Sequence, residues 1–202
     1  MRGARMQKKI AITGGIGCGK SLVAKYVAEM GYPIFSCDEI NRNLLTDPDY
    51  IERIKNVFPN CVNDGKIDKN TLKNTVFCDK KALKWLNDIA HPVIMTRLFS
   101  AMKKSDSEFV FAEVPLLFEG GYERDFDAII IIKRDINERI KAVQQRDGLS
   151  EEEIKNRIAA QFDYTNLEKR IQNMNVHIIE NEGDPPAGAL QRMLTPRFDQ
   201  DE

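Results

Sequence analysis

Residues 12–21 read ITGGIGCGKS, with four glycines in ten positions and a closing lysine and serine. Glycine loses more backbone freedom on folding than any other residue, so this density marks a backbone bent closely around something. Gly14, Gly19, Lys20 and Ser21 satisfy the pattern G-x-x-x-x-G-K-[ST]. The context fits as well. KKIAIT (8–13) is a candidate strand, and a helix is expected from Lys20 to about Met30, with Leu22, Val23, Tyr26, Val27 and Met30 at helical spacing. A loop of this kind wraps an anion so tightly that backbone N–H groups become its ligands, and the helix behind it points its positive dipole end at the same charge. Lys20 is placed to reach β- and γ-phosphates, and the Ser21 hydroxyl suits Mg2+. The stretch therefore specifies a nucleoside triphosphate site. Cys18, inside the loop, is read as a small residue that fits, with a redox-sensitive thiol as the competing reading.

Working outward, apolar strand patterns alternate with amphipathic helices. PIF (33–35), FVFAEV (109–114), DAIIIIK (127–133) and VHIIE (176–180) read as further strands. Runs such as AIIII suit strands buried on both faces, as in a parallel sheet covered by helices. Residues 36 to about 100 carry helical patterns and loops only, too much for one crossover, and are expected to form a helical insertion. Residues 135–170 carry a charged helix, a GLS break, a second charged helix opened by a Ser150/Glu153 capping box, and then more helix. Such a charged hairpin after a core strand suits a lid, though composition alone fits a solvated surface hairpin equally well. There are no internal repeats.

The 202 residues suffice for one α/β domain with an insertion. A formal net charge of −1 gives no sign of a nucleic-acid binder. No apolar run approaches the ~20 residues that span a bilayer. The opening MRGARMQKK lacks the apolar stretch of a signal peptide, so Met6 is the expected natural start and a cytoplasmic location is expected. Cys18, Cys37, Cys61 and Cys78 show no C-x-x-C spacing, which argues against a zinc site or a redox pair. Tails at 1–7 and 195–202 are expected to be disordered.

A P-loop alone fits a GTPase switch, an ATP-driven motor or a small-molecule kinase. The guanine signature N-K-x-D is missing, since the nearest candidate is KRD at 133–135. FVFAEVP offers a single acid, Glu113, suited to holding Mg2+ through water. Asp38, at the end of FSCD, follows the short second strand, where a carboxylate can accept the proton of an acceptor hydroxyl. That favours a kinase. An Asp in this place also suits a helix N-cap, and that reading stays open on the residues alone.

Several segments together resemble the dephospho-CoA kinase family over residues 8–194. ITGGIGCGKS resembles TGGIGSGKS, and CDEINR (37–42) resembles D-A-D-x-x-A-R with Ser36 in place of its first acid. WLNDIAHP (85–92) resembles W-L-N-x-x-x-H-P, and EVPLLFE (113–119) resembles D-[IV]-P-L-L-F-E. RDGLSEEEIKNRIAAQ (146–161) resembles the family lid, and ENEG (180–183) its late N-x-G turn, with Glu182 for a common asparagine. The resemblance implies a P-loop kinase fold with a five-stranded parallel sheet flanked by helices. Its core would comprise 8–36, 101–134 and 171–194, with a helical CoA-binding insertion at about 37–100 and a lid at about 135–170. It implies that ATP phosphorylates the ribose 3′-hydroxyl of dephospho-CoA, with Mg2+ as cofactor and no nucleic-acid or membrane partner, in a monomer or weak homo-oligomer. Asp38, Lys20 and Arg146 would be catalytic. ATP would meet Gly15, Ile16, Gly17, Cys18, Gly19, Lys20, Ser21, Leu22, Arg146, Asn181 and Gly183. The acceptor would meet Asp38, Arg42, His91, Pro115, Leu116 and Glu119, and Ser21 with Glu113 would serve the metal. The family's other lid arginine falls on Ala142, and Arg139, one turn earlier, is the candidate to replace it. Another small-molecule kinase, of nucleoside monophosphate or shikimate type, and a non-enzymatic nucleotide-gated binding protein are the alternative readings.

Overall fold

β1 (Lys8–Thr13) runs into the glycine-rich loop, and α1 (Lys20–Glu29) leaves it. This computed structural model describes residues 6–164, 167–182 and 190. The elements that follow are β2 (Ile34–Ser36), α2 (Cys37–Leu44), α3 (Pro48–Val57), β3 (Val62–Asn63) and β4 (Lys66–Ile67). Then come α4 (Lys69–Cys78), α5 (Lys80–Lys103), β5 (Phe109–Glu113), α6 (Leu117–Gly120), β6 (Ala128–Lys133), α7 (Ile136–Asp147), α8 (Glu151–Ala159) and β7 (Val176–Glu180). Each expected strand is present within a residue or so of its expected ends. Gly183, most of both expected tails and the end of the last core segment lie outside the described residues.

Five strands form a sheet in the order β2-β5-β1-β6-β7. β1 pairs in parallel with β5 on one side, Ile10 opposite Phe111, and with β6 on the other, Ile10 opposite Ala128. β7 extends the sheet beyond β6 in parallel, Ile130 opposite His177. Central strands in such a sheet are covered on both faces, which is why Ile129, Ile130, Ile131 and Ile132 are all buried instead of alternating with polar residues. Ile12, Val23, Val27, Phe111, Ile130 and Ile132 share one core cluster with Cys18. The α1 helix thus packs through Val23 and Val27 on the strands that frame the loop.

The chain divides into two compact units, one of residues up to Ile34 and from Ser105 onward, the other Phe35–Lys104. In the second unit, α5 packs against α2, α3 and α4 and buries Leu98 and Met102 completely. Pro92 lies inside α5, where it removes one helical N–H donor. Arg97 of α5 pairs with Asp47, whose carboxylate also caps α3. Sequence patterns gave this region helices and loops only, but β3 and β4 form an antiparallel hairpin. Its turn is Asp64-Gly65, with φ of 49° and 70°, the left-handed pair that a tight hairpin turn requires. The Asp-Gly dipeptide was the available signal.

In the first unit, α7 and α8 form the expected charged hairpin. Gly148, with φ 68°, ends α7, and the Ser150/Glu153 capping box opens α8. Their apolar face gathers Ile140, Val143 and Ile154 with Leu149 and Ile158. Among the described residues the further helix expected after α8 is not formed, and residues 161–164 and 167–175 run as turns and irregular chain. Side chains there are held by tertiary partners, as described below. No described helix is long and apolar enough to cross a membrane. None of the four cysteines is in a disulfide, and only Cys78 is exposed.

Candidate active site

Every described helix of eight residues or more opens on a capping Ser or Asp side chain, except one. Ser36, Asp47, Asp68, Asp79, Asp135 and Ser150 cap α2, α3, α4, α5, α7 and α8. At α1 the capping position is Gly19, with φ 94° and no side-chain bond. A helix start without a cap keeps its N–H groups for an anion. Lys20 folds back over the loop, its Nζ donating to the carbonyls of Gly14 (2.9 Å) and Gly15 (3.1 Å). The loop's glycines are required by close neighbours. A Cβ on Gly14 would meet the Ile132 carbonyl oxygen at 2.4 Å, and one on Gly19 would meet Asn181 Nδ2 at 2.2 Å. That Asn181 amide donates to the Cys18 carbonyl (2.8 Å), so the residue expected near the nucleotide braces the loop itself. Cys18 is 3% exposed, a packed side chain in the core cluster.

Ser21 Oγ donates to Glu113 Oε1 at 3.0 Å, so the end of β5 delivers its acid directly to the loop's hydroxyl. A hydroxyl beside a carboxylate is an oxygen donor set suited to Mg2+, which takes one or two protein ligands and completes its shell with phosphate and water. No group of three or more His, Cys, Asp or Glu residues that could hold a metal occurs among the described residues.

The hairpin reaches the loop at Ile16, which packs with Ile140, Val143 and Ile154. Both polar groups of that peptide are engaged: Gln161 Oε1 accepts from the Ile16 N–H (2.7 Å), and Arg139 Nε donates to the Ile16 carbonyl (2.9 Å). Arg134 lies at the Gly17 carbonyl (3.4 Å). Arg146 forms a two-pronged pair with the adjacent Asp147 (2.7 and 2.8 Å), which holds the Asp147 carboxyl below its usual range. Leu22 is exposed on α1. The return segment is fastened to the stretch after β5. Glu119 accepts from the Phe162 N–H (2.9 Å), and Phe118 stacks on Phe162 with ring centroids 4.8 Å apart. Arg170 bonds Glu123 (2.5 Å) and the Phe118 carbonyl (2.7 Å). Tyr164 shares a 3.3 Å contact with the buried Thr13 hydroxyl, and burial pushes its phenol up to about 12. Gln161 closes the segment that resembles the family lid, whereas Arg134 and Arg170 carry no motif signal and only their distant partners give them roles.

Within the second unit, Asp38 occupies the first turn of α2 but does not cap it. Ser36 does, accepting from the Glu39 N–H at 3.3 Å, and the Asp38 side chain is exposed. The capping reading of Asp38 is therefore overturned. Arg42 is exposed in the last turn of α2, and His91 is half-buried on α5. Pro115 is half-buried and Leu116 exposed between β5 and α6.

A parallel sheet whose first strand feeds a glycine-rich loop and an uncapped helix, under a charged helical hairpin, defines a P-loop kinase fold. The family model described as dephospho-CoA kinase matches residues 8–186. A dephospho-CoA kinase of Thermus thermophilus is 34% identical over 174 residues, 86% of this chain and 83% of that protein. A crystal structure from Thermus thermophilus superposes with a TM-score of 0.79 at 31% identity, covering 94% of this chain and 99% of the other. The dephospho-CoA kinase from Campylobacter jejuni superposes with a TM-score of 0.64 at 26% identity, covering 94% and 96%. The chain belongs to the dephospho-CoA kinase family, and it is a kinase.

Proposed function

We propose that this protein transfers the γ-phosphoryl group of ATP to the ribose 3′-hydroxyl of dephospho-CoA, giving CoA and ADP in the cytoplasm. The observation that carries the reading is the loop of residues 14–21 ahead of an uncapped helix, in a chain matched to this family over residues 8–186. Phosphoryl transfer requires little covalent chemistry of the protein, so positioning and charge stabilisation supply the rate. The loop of residues 15–21 cradles the phosphates through those of its amides that Gln161 does not hold, and Lys20 neutralises charge on the β and γ groups. Ser21 and Glu113 would hold Mg2+, which when bound screens the phosphate charge. The insertion of residues 37–100 takes the acceptor, with Asp38 orienting or deprotonating its hydroxyl and Arg42 and His91 contacting it. Pro115, Leu116 and Glu119 border the acceptor from the stretch after β5. The hairpin of residues 135–170 is the lid. Closed, it brings Arg146 to phosphate and keeps water from the γ-phosphoryl group. Asn181 and Gly183 serve the nucleotide's other end.

The test is ADP production by purified protein with Mg2+-ATP, with and without dephospho-CoA, and with shikimate or nucleoside monophosphates as other acceptors. A rise confined to dephospho-CoA, lost in EDTA and restored by Mg2+, with a product mass matching CoA, is expected. ADP release that no acceptor changes would overturn the reading.

A further inference from the structure

Two glycines in the loop are not fixed by the phosphate-loop pattern: Gly15 and Gly17 fall at its unrestricted positions. Both face Arg139. A Cβ on Gly17 would lie 2.6 Å from the Arg139 backbone oxygen, and that residue also has a left-handed φ of 78°. Gly15 has no such backbone requirement, because its φ lies outside the left-handed range. What a side chain there would meet is the Arg139 guanidinium, with Nη2 at 2.4 Å and Cζ at 3.0 Å from the added Cβ. Glycine at position 15 therefore keeps open the space that the arginine fills.

The arginine's charge is also unbalanced. Arg134 has Glu138 at 3.8 Å, Arg146 has Asp147 and Arg170 has Glu123. Among the described residues, Arg139 has no carboxylate within ion-pair distance. Its Nε is spent on the Ile16 carbonyl, a bond that fixes the plane of the guanidinium and leaves the terminal nitrogens beside Gly15. The Lys20 ammonium reaches the Gly15 carbonyl at 3.1 Å. The Arg139 guanidinium thus lies beside the loop at the positive end of α1, a place that an anion suits. An arginine held through Nε presents its outer N–H pair to a phosphate in fixed geometry.

We infer that Arg139 is a phosphate-binding residue, its guanidinium anchored on Ile16 in the space that Gly15 vacates and directed at the terminal phosphate of the bound nucleoside triphosphate. The inference rests on the ATP reading above but not on the acceptor. Lys20 and Arg139 meet at Gly15, so the phosphate that Lys20 serves at the γ end is the one within the arginine's reach.

Calorimetric titration of ATP and of ADP, without acceptor, tests this on wild type, Arg139→Gln, Arg139→Lys, Gly15→Ala and Gly15→Ala/Arg139→Gln. Arg139→Gln is expected to weaken ATP by about tenfold or more and ADP by less than about threefold, with Arg139→Lys recovering part of the loss. Gly15→Ala, which displaces the guanidinium, is expected to weaken ATP similarly, and to add less than about threefold in the Arg139→Gln background. Equal weakening of ATP and ADP would reduce Arg139 to a tether between lid and loop and overturn the inference, as would unchanged ATP affinity or full additivity of the two substitutions. A wild-type protein that binds no ATP would overturn the nucleotide reading as well, so the two failures are distinct. Failure of dephospho-CoA to stimulate ADP production would touch neither titration.

Discussion

At the scale of single residues, Asp38 has the chemistry for proton transfer and no structural duty to explain it. Ser36 takes the capping position of α2, and the Asp38 carboxylate is exposed in the first turn. Its neighbour Glu39 supplies the backbone N–H that Ser36 accepts, so the helix start is complete without Asp38. A carboxylate that aligns or deprotonates an acceptor hydroxyl typically contributes about 10²–10⁴-fold to the rate. Asp38→Asn keeps the shape and removes the base. Turnover with dephospho-CoA should therefore fall by about that factor, while ATP affinity changes by less than about threefold, because the loop residues proposed to hold ATP are untouched. Steady-state kinetics with parallel ATP titration make the comparison, and unchanged turnover would remove Asp38 from the mechanism. The loop residues were legible from sequence because their pattern is local: one strand, one turn and one helix start fix it. Asp38 was legible only as an acid after a strand, since whether it or Ser36 caps the helix depends on backbone angles that a sequence does not display.

At the scale of elements, the hairpin of α7 and α8 is local information and its return is not. Gly148 and the Ser150/Glu153 box mark the break between the helices within six residues. The sequence up to residue 170 looks helical beyond α8, yet Gln161, Phe162, Tyr164 and Arg170 are each bound to segments far away in the chain, at Ile16, Glu119, Thr13 and Glu123. Tertiary contact overrides local propensity there, which no periodicity could reveal. The Glu123–Arg170 pair gives this fastening a pH signature. Glu123 is 7% exposed and its Oε2 has no hydrogen-bond partner among the described residues. Burial pushes its carboxyl up, but the Arg170 hydrogen bond, a bond from its own backbone and the charges of Arg170 and Arg124 together hold it below its ordinary 4.5. A depressed folded value means stability that is present above the ordinary value and lost as pH falls through the folded one. Arg170→Met should thus cost about 1–3 kcal/mol near neutrality and lower the melting midpoint by several degrees. Below the depressed value Glu123 is protonated in wild type too, so the penalty should shrink. Melting both proteins at neutral pH and through the acid range checks it; a penalty independent of pH would show that the pair's charge does not contribute.

At the scale of the whole molecule, the parallel sheet could be anticipated because its strands carry unbroken apolar runs, as Ile129 to Ile132 do. The order β2-β5-β1-β6-β7 could not be read from any one strand, since it is set by which crossovers pass over which face. The second compact unit, residues 35–104, was legible as an interruption of the strand–helix alternation, while its β3–β4 hairpin was hidden in two-residue strands too short to show alternation. The division into two units has an optical consequence. The chain contains one tryptophan, Trp85 on α5, which lies in the second unit and is 52% exposed. The nucleotide loop and the hairpin belong to the first unit. If residues 37–100 receive the acceptor, dephospho-CoA is expected to change the surroundings of the half-exposed Trp85, six residues from His91 on α5, and the emission reports it without any introduced label. Titration with dephospho-CoA alone should shift or quench Trp85 emission along a saturable curve, and ADP alone should leave it nearly unchanged. His91→Ala should move the dephospho-CoA midpoint upward and leave ADP affinity as it was. A signal that follows ADP and ignores dephospho-CoA would place the acceptor elsewhere, even in a protein whose kinase activity is intact.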